Sequence, residues 1–184
     1  MSTAKDHTIL GPNDGPAAEV INPQGGAAIC LVCEHASAFI PPALADLGVA
    51  PEHRLSHAAW DIGGLDLATA VSAKLDAPLV ASRVSRLVYD CNRPPSAPGP
   101  IPERSEVVDI PGNVGLSDVA RDARVSGAYD PFKDLLRTPP DRLTTPPLLV
   151  TIHSLTPTWF GHPRALDLAL LHASDHRPAP ALPP

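Results

Sequence analysis

Aromatic residues are scarce in this sequence: Phe, Trp and Tyr together make up 4% of its 184 residues. A core must therefore be built mainly from aliphatic side chains, and the 43% apolar content is typical of a globular protein. No apolar run approaches the roughly 20 residues that a membrane-spanning helix needs. The N-terminus also lacks the charged and then apolar order of a signal peptide.

Basic residues and cysteines are also few. The 14 Lys and Arg residues against 20 Asp and Glu give a formal net charge of −6, which argues against a nucleic-acid surface. The 3 cysteines are an odd number and do not make a disulfide framework. These absences predict a cytoplasmic protein with reduced thiols, without a nucleic-acid or membrane partner.

Proline, in contrast, is abundant, at 24 residues. It concentrates in residues 93–102, 139–147 and 178–184, which cannot be helix interiors because proline has no backbone N–H to donate. We interpret the first two as loops and the last as a frayed tail. The predicted organisation is a loose lead-in at 1–26, a single domain at 27–175 and a proline-rich tail at 176–184.

Two short apolar runs are the strongest strand signals. Ala27–Cys33 and Leu148–Ile152 are apolar throughout, which is typical of strands buried on both faces of a parallel sheet. Asp61–Leu75 carries apolar residues at three- and four-residue steps and predicts a helix, and Pro78–Ser82 predicts another strand. This succession predicts an α/β fold with a mainly parallel or mixed sheet flanked by helices.

Weaker patterns predict further short elements. They are a helical turn ending at Gly48, an extended piece at Arg86–Tyr89, a helical region at Ser117–Leu136 that is broken near Gly127–Pro131, and a strand or helical turn at Leu166–His172. The prolines before Gly48 suit the start of a helical turn, since proline is favoured at the first helical position.

Each of the two strongest strands ends in a histidine, His35 and His153. Ligands of open α/β sheets bind outside the carboxyl ends of the strands, where parallel neighbours would bring both imidazoles within reach of one cation. A catalytic zinc takes three N or O ligands and leaves one position open. A carboxylate is needed as the third ligand, and Asp61, Glu34 and Asp90 are the candidates. The alternative is that each histidine is simply a half-exposed polar residue.

Two other spacings have simpler explanations. His57 and Asp61 stand four residues apart, which on a helix gives a ligand pair, a ligand with its orienting partner, or a solvated pair. Cys30-x-x-Cys33 has the spacing of a redox or zinc motif, but positions three apart in a strand point to opposite faces. Buried structural thiols are therefore the favoured interpretation of the cysteines.

Arginines at Arg83, Arg86 and Arg93 cluster around one predicted strand end. Arginine holds carboxylates in a bidentate manner, so this cluster indicates a site for an acidic substrate. The alternative is a structural ion pair with Asp61 or Asp90.

Four segments together resemble the N-formylglutamate amidohydrolase family. They are Cys33–Ser37, Ala59–Gly63, Ser85–Pro94 and Ile152–Pro157, and Ile110–Asn113 also fits. The resemblance extends over roughly residues 29–175. The runs Ser-Arg-Leu-Val-Tyr-Asp-Cys-Asn-Arg-Pro and His-Ser-x-Thr-Pro are its most specific parts.

The resemblance implies an α/β fold of the phosphorylase/hydrolase-like, zinc-dependent exopeptidase type. It implies hydrolysis of N-formyl-L-glutamate to formate and glutamate, a step of histidine breakdown, or hydrolysis of another small N-acyl amino acid. By resemblance His35 and His153 bind zinc together with a carboxylate, which is Asp61 or Glu34.

The resemblance also implies how the substrate is held. Asn92 and Arg93 resemble an Asn-Arg pair that binds a substrate carboxylate, with Arg93 orienting the scissile bond. Arg86 and Ser154 are further candidates for substrate binding.

The sequence departs from the family at its end. Members usually continue into a strand with Glu in a Glu-x-Arg context, which resembles the general base of related peptidases, whereas this sequence ends in Pro178–Pro184. The resemblance therefore implies a truncated chain with an incomplete sheet, in which Glu34 is the candidate proton acceptor. The alternative is an inactive remnant that binds metal or a carboxylate ligand without turnover. An incomplete sheet edge would favour self-association.

Overall fold

A computed structural model of the chain describes residues 8–137, 146–159 and 161–171. The strands in these ranges are β1 (Ala18–Ile21), β2 (Ile29–Cys33), β3 (Leu79–Ser82), β4 (Arg104–Ser105), β5 (Val108–Asp109), β6 (Leu148–Thr151), β7 (Thr158–Trp159) and β8 (His162–Pro163). The α-helices are α1 (Gly64–Leu75), α2 (Asp118–Arg124) and α3 (Asp130–Arg137). Short 3₁₀ helices lie at Pro42–Gly48, Pro51–His53 and Pro111–Asn113.

A mixed sheet of four strands, in the order β1-β3-β2-β6, organises the domain. β2 pairs in parallel with β3 and with β6, and β1 pairs antiparallel with β3. Helix α1 makes the crossover between β2 and β3, as a parallel pair requires. The predicted α/β fold with a mixed sheet and flanking helices is therefore confirmed.

β2 is buried on both faces, as its apolar sequence predicts. Leu31 and Cys33 pack with Ala68 of α1 on one face, whereas Cys30 and Val32 belong to the larger apolar cluster on the other. The two cysteines thus point to opposite faces, and all 3 cysteines are free and buried. A redox or zinc role for Cys30-x-x-Cys33 is incompatible with this placement.

β6 is less buried than its sequence predicts. Its residues alternate between half-buried and exposed, and Leu149 is 53% exposed. Within the described residues β6 lies at one edge of the sheet and pairs only with β2, so one of its faces is not fully covered. Self-association through a sheet edge stays a prediction.

The N-terminal lead-in is more ordered than predicted. β1 lies within residues 1–26 and forms the opposite edge of the sheet. The alternation of its four residues was too short to be distinctive in the sequence, but the backbone of β3 provides a full set of antiparallel partners from Ala18↔Ser82 to Ile21↔Leu79. Ile9, further towards the N-terminus, is also part of the core.

Two other predicted elements differ in the structure. Arg86–Tyr89 is not extended but forms a turn. The carbonyl of Ser85 accepts a hydrogen bond from the Val88 N–H, and the Ser85 hydroxyl accepts one from the Leu87 N–H. Residues 166–171 of the predicted element at Leu166–His172 contain neither strand nor helix. His172 lies outside the described residues.

The predicted helical region at Ser117–Leu136 is continuous through its predicted break. Ser117 caps α2, since its side chain accepts a hydrogen bond from the Ala120 N–H. The π-helical turn Val125–Tyr129 then joins α2 to α3, and it absorbs the glycine within it without ending the helix.

Two of the predicted proline-rich segments fall largely outside the described ranges. Residues 138–145 contain most of the second, and 172–184 contain the predicted tail. In the described residues no helix combines the length and apolar character that crossing a membrane demands.

The sheet interior should dominate the stability of the domain. Leu79→Ala in β3 removes a side chain with 0% exposure and leaves a cavity, so we expect the free energy of unfolding to fall by about 2–5 kcal/mol. Leu67→Ala in α1, where the leucine is 54% exposed, should change it by less than about 0.5 kcal/mol. Urea unfolding followed by circular dichroism measures both, and similar losses would contradict the assigned burial.

Candidate metal centre and its two cavities

The ends of β2 and β6 bring two histidines together. The strands are parallel neighbours with Val32 opposite Thr151, so His35 and His153 emerge at the same edge. Their ring centroids lie 4.9 Å apart. The predicted meeting of the two strand ends is confirmed.

Asp61 completes the cluster. Its Oδ2 lies 2.8 Å from Nδ1 of His153 and 3.4 Å from Nδ1 of His35. Its backbone N–H donates to the carbonyl of His35 at 2.9 Å, which fixes this segment to the end of β2. One ligand atom from each of the three residues lies within 4.8 Å of the other two.

This donor set fits a divalent metal ion. Two imidazoles and one carboxylate are a common ligand set of catalytic zinc. Nδ1 of His35 is buried and has no hydrogen-bond partner among the described residues, which is costly for a nitrogen without a further ligand. His35, Asp61 and His153 are therefore the residues that could hold the ion, and among the three candidate carboxylates Asp61 occupies the third position.

The glycine pair Gly63-Gly64 at the start of α1 allows the helix to approach the cluster. A Cβ at Gly64 would lie 3.2 Å from Cβ of Asp61 and 3.8 Å from the backbone nitrogen of Ser154. Gly63 has a φ of +77°, a left-handed conformation that favours glycine. These two glycines thus permit the close packing of α1 against Asp61.

Asp90 orients His35 and does not lie in the ligand group. Its Oδ1 lies 2.8 Å from Nε2 of His35, and both side chains are buried. When Nε2–H donates to this carboxylate, Nδ1 carries the lone pair that a metal needs. The sequence marked Asp90 as a candidate ligand, but only the fold shows which nitrogen it contacts.

The arginines form ion pairs with these aspartates. Arg86 lies 3.3 Å from Asp61 and 3.9 Å from Asp90, and Nε of Arg93 lies 3.2 Å from Asp90. The alternative interpretation of the arginine cluster, structural ion pairs with Asp61 and Asp90, is therefore present for Arg86 and Arg93. Arg83 instead pairs with Glu19 at 3.0 Å on the surface.

The electrostatics favour a charged Asp61. Burial alone would raise the pKa of Asp61, but its hydrogen bond with His153 and the proximity of His35 hold the pKa well below its usual range. Burial would lower the pKa of His35, yet the carboxylates of Asp61 and Asp90 outweigh it and raise the pKa. A metal-binding imidazole must be deprotonated, so a raised pKa of His35 should make metal affinity weaken as the pH falls.

Two adjoining cavities open beside the cluster. The first, of about 520 Å³, is lined by Asp61, Ser154 and the apolar side chains Trp60, Ile62 and Leu155. The second, of about 600 Å³, is lined by Asp90 and by four arginines, namely Arg86, Arg93, Arg104 and Arg121. Arg86 and Ser105 line both cavities.

The predicted site residues are distributed unevenly over these cavities. Ser154, Arg86 and Arg93 line them, and their role in substrate binding stays a prediction. Asn92 is exposed and lines neither cavity, and Glu34 is buried and also lines neither.

His57 does not pair with Asp61. Its Nε2 lies 3.0 Å from Oε2 of Glu106, which follows β4 and has a φ of +53°. Both side chains line the first cavity. The four-residue spacing had no meaning here, because residues 57–61 form turns and not a continuous helix.

Two buried residues that sequence reasoning missed support the turn between Arg86 and Asp90. Asn113 donates to the carbonyls of Leu87 at 2.8 Å and Pro102 at 2.7 Å, and Arg124 donates to the carbonyl of Val88 at 3.0 Å. Burial lowers the pKa of Arg124 to about 10. The Ile-Pro-Gly-Asn run was a signal for Asn113, whereas nothing in the sequence distinguished Arg124 from a surface arginine.

Comparison with known proteins agrees with this arrangement. The family model described as N-formylglutamate amidohydrolase matches residues 27–182. The chain belongs to the N-formylglutamate amidohydrolase family. The matched range includes His35, Asp61 and His153.

A solved structure shares the fold of this family member. The crystal structure of a gene product from Agrobacterium tumefaciens is 43% identical in sequence and superposes with a TM-score of 0.89, over 94% of this chain and 70% of that chain. No curated protein gives a significant match.

The candidate ligands His35, Asp61 and His153 lead to a prediction about metal content. His35→Ala or Asp61→Ala should lower bound zinc from about one ion per chain to a small fraction of that, since three ligands are the minimum of a catalytic site. His57→Ala should leave it unchanged, because His57 contacts Glu106 instead. Inductively coupled plasma mass spectrometry after dialysis measures the content, and equal loss in the His57 variant would contradict the assigned ligand set.

Proposed function

We propose that this protein hydrolyses the amide bond of a small N-acyl amino acid in a metal-dependent reaction. N-formyl-L-glutamate, which would give formate and glutamate, is the first substrate candidate. The observation that carries the proposal is the His35, Asp61 and His153 cluster beside an arginine-lined cavity. Membership of the N-formylglutamate amidohydrolase family supports the same reaction class.

The cluster supplies the ligands for the catalytic ion. A bound zinc polarises an amide carbonyl and lowers the pKa of water. Asp61 contributes a full negative charge, and Asp90 holds the ring of His35 with Nδ1 free for coordination. Arg86 contacts both aspartates and so fixes their positions relative to the cavities.

The second cavity is suited to the acidic part of the substrate. Its four arginines face only Asp90 and Glu103 as acidic lining residues, so positive charge is in excess. Arg104 lies 3.6 Å from Asp109, which is not a lining residue. Arg121 donates through Nε to the carbonyl of Leu116, and this contact neutralises no charge. A substrate carboxylate would form charge-assisted hydrogen bonds with such an arginine.

The contact between the two cavities suggests how the substrate lies. Arg86 lines both, Asp61 lines the first and Asp90 lines the second. We therefore place the scissile amide beside Asp61, the amino-acid carboxylates in the arginine-lined cavity and the acyl group towards Ser154. Arg93 remains our candidate for holding the carboxylate nearest the scissile bond.

Formate release tests the reaction. Purified protein should release formate from N-formyl-L-glutamate, lose this activity with a chelator and recover it when zinc is added. His35→Ala should lower the rate at least about 100-fold, in line with the loss of an electrostatic catalyst, whereas His53→Ala, outside both cavities, should not. Bound zinc without turnover would instead support a protein that binds metal or a carboxylate ligand and does not catalyse.

Substrate discrimination tests the role of the arginine-lined cavity. We expect kcat/KM to be at least about tenfold lower for N-formyl-L-glutamine than for N-formyl-L-glutamate, because one charge-assisted bond is worth more than about 1.4 kcal/mol. Arg121→Met should reduce this ratio, and Arg83→Met is the control because Arg83 pairs with Glu19 on the surface. An unchanged ratio in Arg121→Met would show that this arginine does not read the side-chain carboxylate.

A further inference from the structure

Glu34 is a buried carboxylate with an unexplained environment. The residue is 4% exposed, and its Oε2 has no hydrogen-bond partner among the described residues. A buried carboxylate without partners is costly. Among the described residues, Oε2 lies 3.6 Å from Nε2 of His153.

The two histidines of the cluster face carboxylates in a similar arrangement, with a hydrogen bond of 2.8 Å from His35 to Asp90 and a longer contact of 3.6 Å from His153 to Glu34. His35 turns Nδ1 towards Oδ2 of Asp61 and Nε2 towards Asp90. His153 turns Nδ1 towards the same oxygen of Asp61 and Nε2 towards Glu34. Each imidazole therefore lies between the shared carboxylate and a second, buried carboxylate on its far side.

The position of Glu34 is poor for a proton acceptor. A general base must come within about 2.6–3.2 Å of the proton it removes, directly or through one water. Asp61 and Glu106 line the first cavity, and Asp90 and Glu103 line the second, but Glu34 lines neither. It lies directly after β2, behind the ring of His153.

We propose that Glu34 is a positioning residue that holds the imidazole of His153 and presents its Nδ1 to the metal. A metal-binding histidine commonly donates its other N–H to a carboxylate, which fixes the tautomer and the ring orientation. The proposal rests on the metal-dependent function above. It gives Glu34 a different role from the proton acceptor that the sequence resemblance implied.

Zinc affinity distinguishes the two roles. By competition with a chelator at fixed pH, Glu34→Ala should bind zinc about 10- to 100-fold more weakly than the unmodified protein. Glu34→Gln keeps an amide oxygen that can accept from Nε2–H, so most of the affinity should return. Glu52→Ala, at an exposed position in the 3₁₀ helix Pro51–His53, is the control and should not change the affinity.

Turnover at saturating zinc gives the second readout. A positioning role predicts that Glu34→Gln retains most of kcat, whereas a proton acceptor predicts a loss of about 10²–10⁴-fold with zinc affinity unchanged. The latter outcome, or a Glu34→Ala affinity within twofold of the unmodified protein, would overturn the proposal. If no variant or parent turns over any N-acyl amino acid, the proposed function fails, and the zinc affinities still decide the role of Glu34.

The imidazole signals of the metal-free protein separate positioning from a general folding defect. In ¹⁵N spectra, the Nε2 signal of His153 should be similar in the unmodified protein and in Glu34→Gln, and it should move in Glu34→Ala. The signals of His35, which Asp90 holds independently, should not move. A change in both histidines, or in neither, would argue against a specific contact between Glu34 and His153.

Discussion

The shared carboxylate of Asp61 is the contact on which the candidate site depends. One oxygen faces Nδ1 of both histidines, and the other accepts from Arg86. A charge that is buried so deeply requires opposite charges and donors on several sides. The Asp61 side chain is kept in place by the hydrogen bond from its backbone N–H to the carbonyl of His35 and by the close packing that the glycine pair at the start of α1 permits. Helix, strand ends and arginine are thus arranged around one side chain.

The parallel sheet explains why the site could be predicted in outline. Strands β2 and β6 were predicted from their continuous runs of apolar residues, and a histidine follows each of them. A parallel pairing, once assumed, places both strand ends at the same edge. That inference needed only the period of the strand and the rule that such sheets bind ligands at their carboxyl ends. The alternation of β2 also correctly placed Cys30 and Cys33 on opposite faces.

The parts that sequence reasoning missed depend on contacts between distant segments. Which carboxylate joins the histidines is decided by the turn before α1, and no local pattern distinguishes Asp61 from Asp90. The burial of β6 depends on which other segments cover its faces, and the strand's own sequence does not show this. Its apolar residues therefore predicted more burial than the structure has. The turn after Ser85 arises from a side-chain hydroxyl that bonds to the backbone, which competes with extended structure.

The edge position of β6 has a consequence for the order in which this protein is assembled. His153 and Asp61 are 92 residues apart in the chain, and among the described strands β6 pairs only with β2. During synthesis β2, α1 and β3 can pair long before β6 leaves the ribosome, because their contacts are more local. The first two ligands therefore exist in a nascent chain that cannot yet enclose an ion. The candidate site is completed only when β6 joins the sheet, and an ion bound there would link the late part of the chain to the early part.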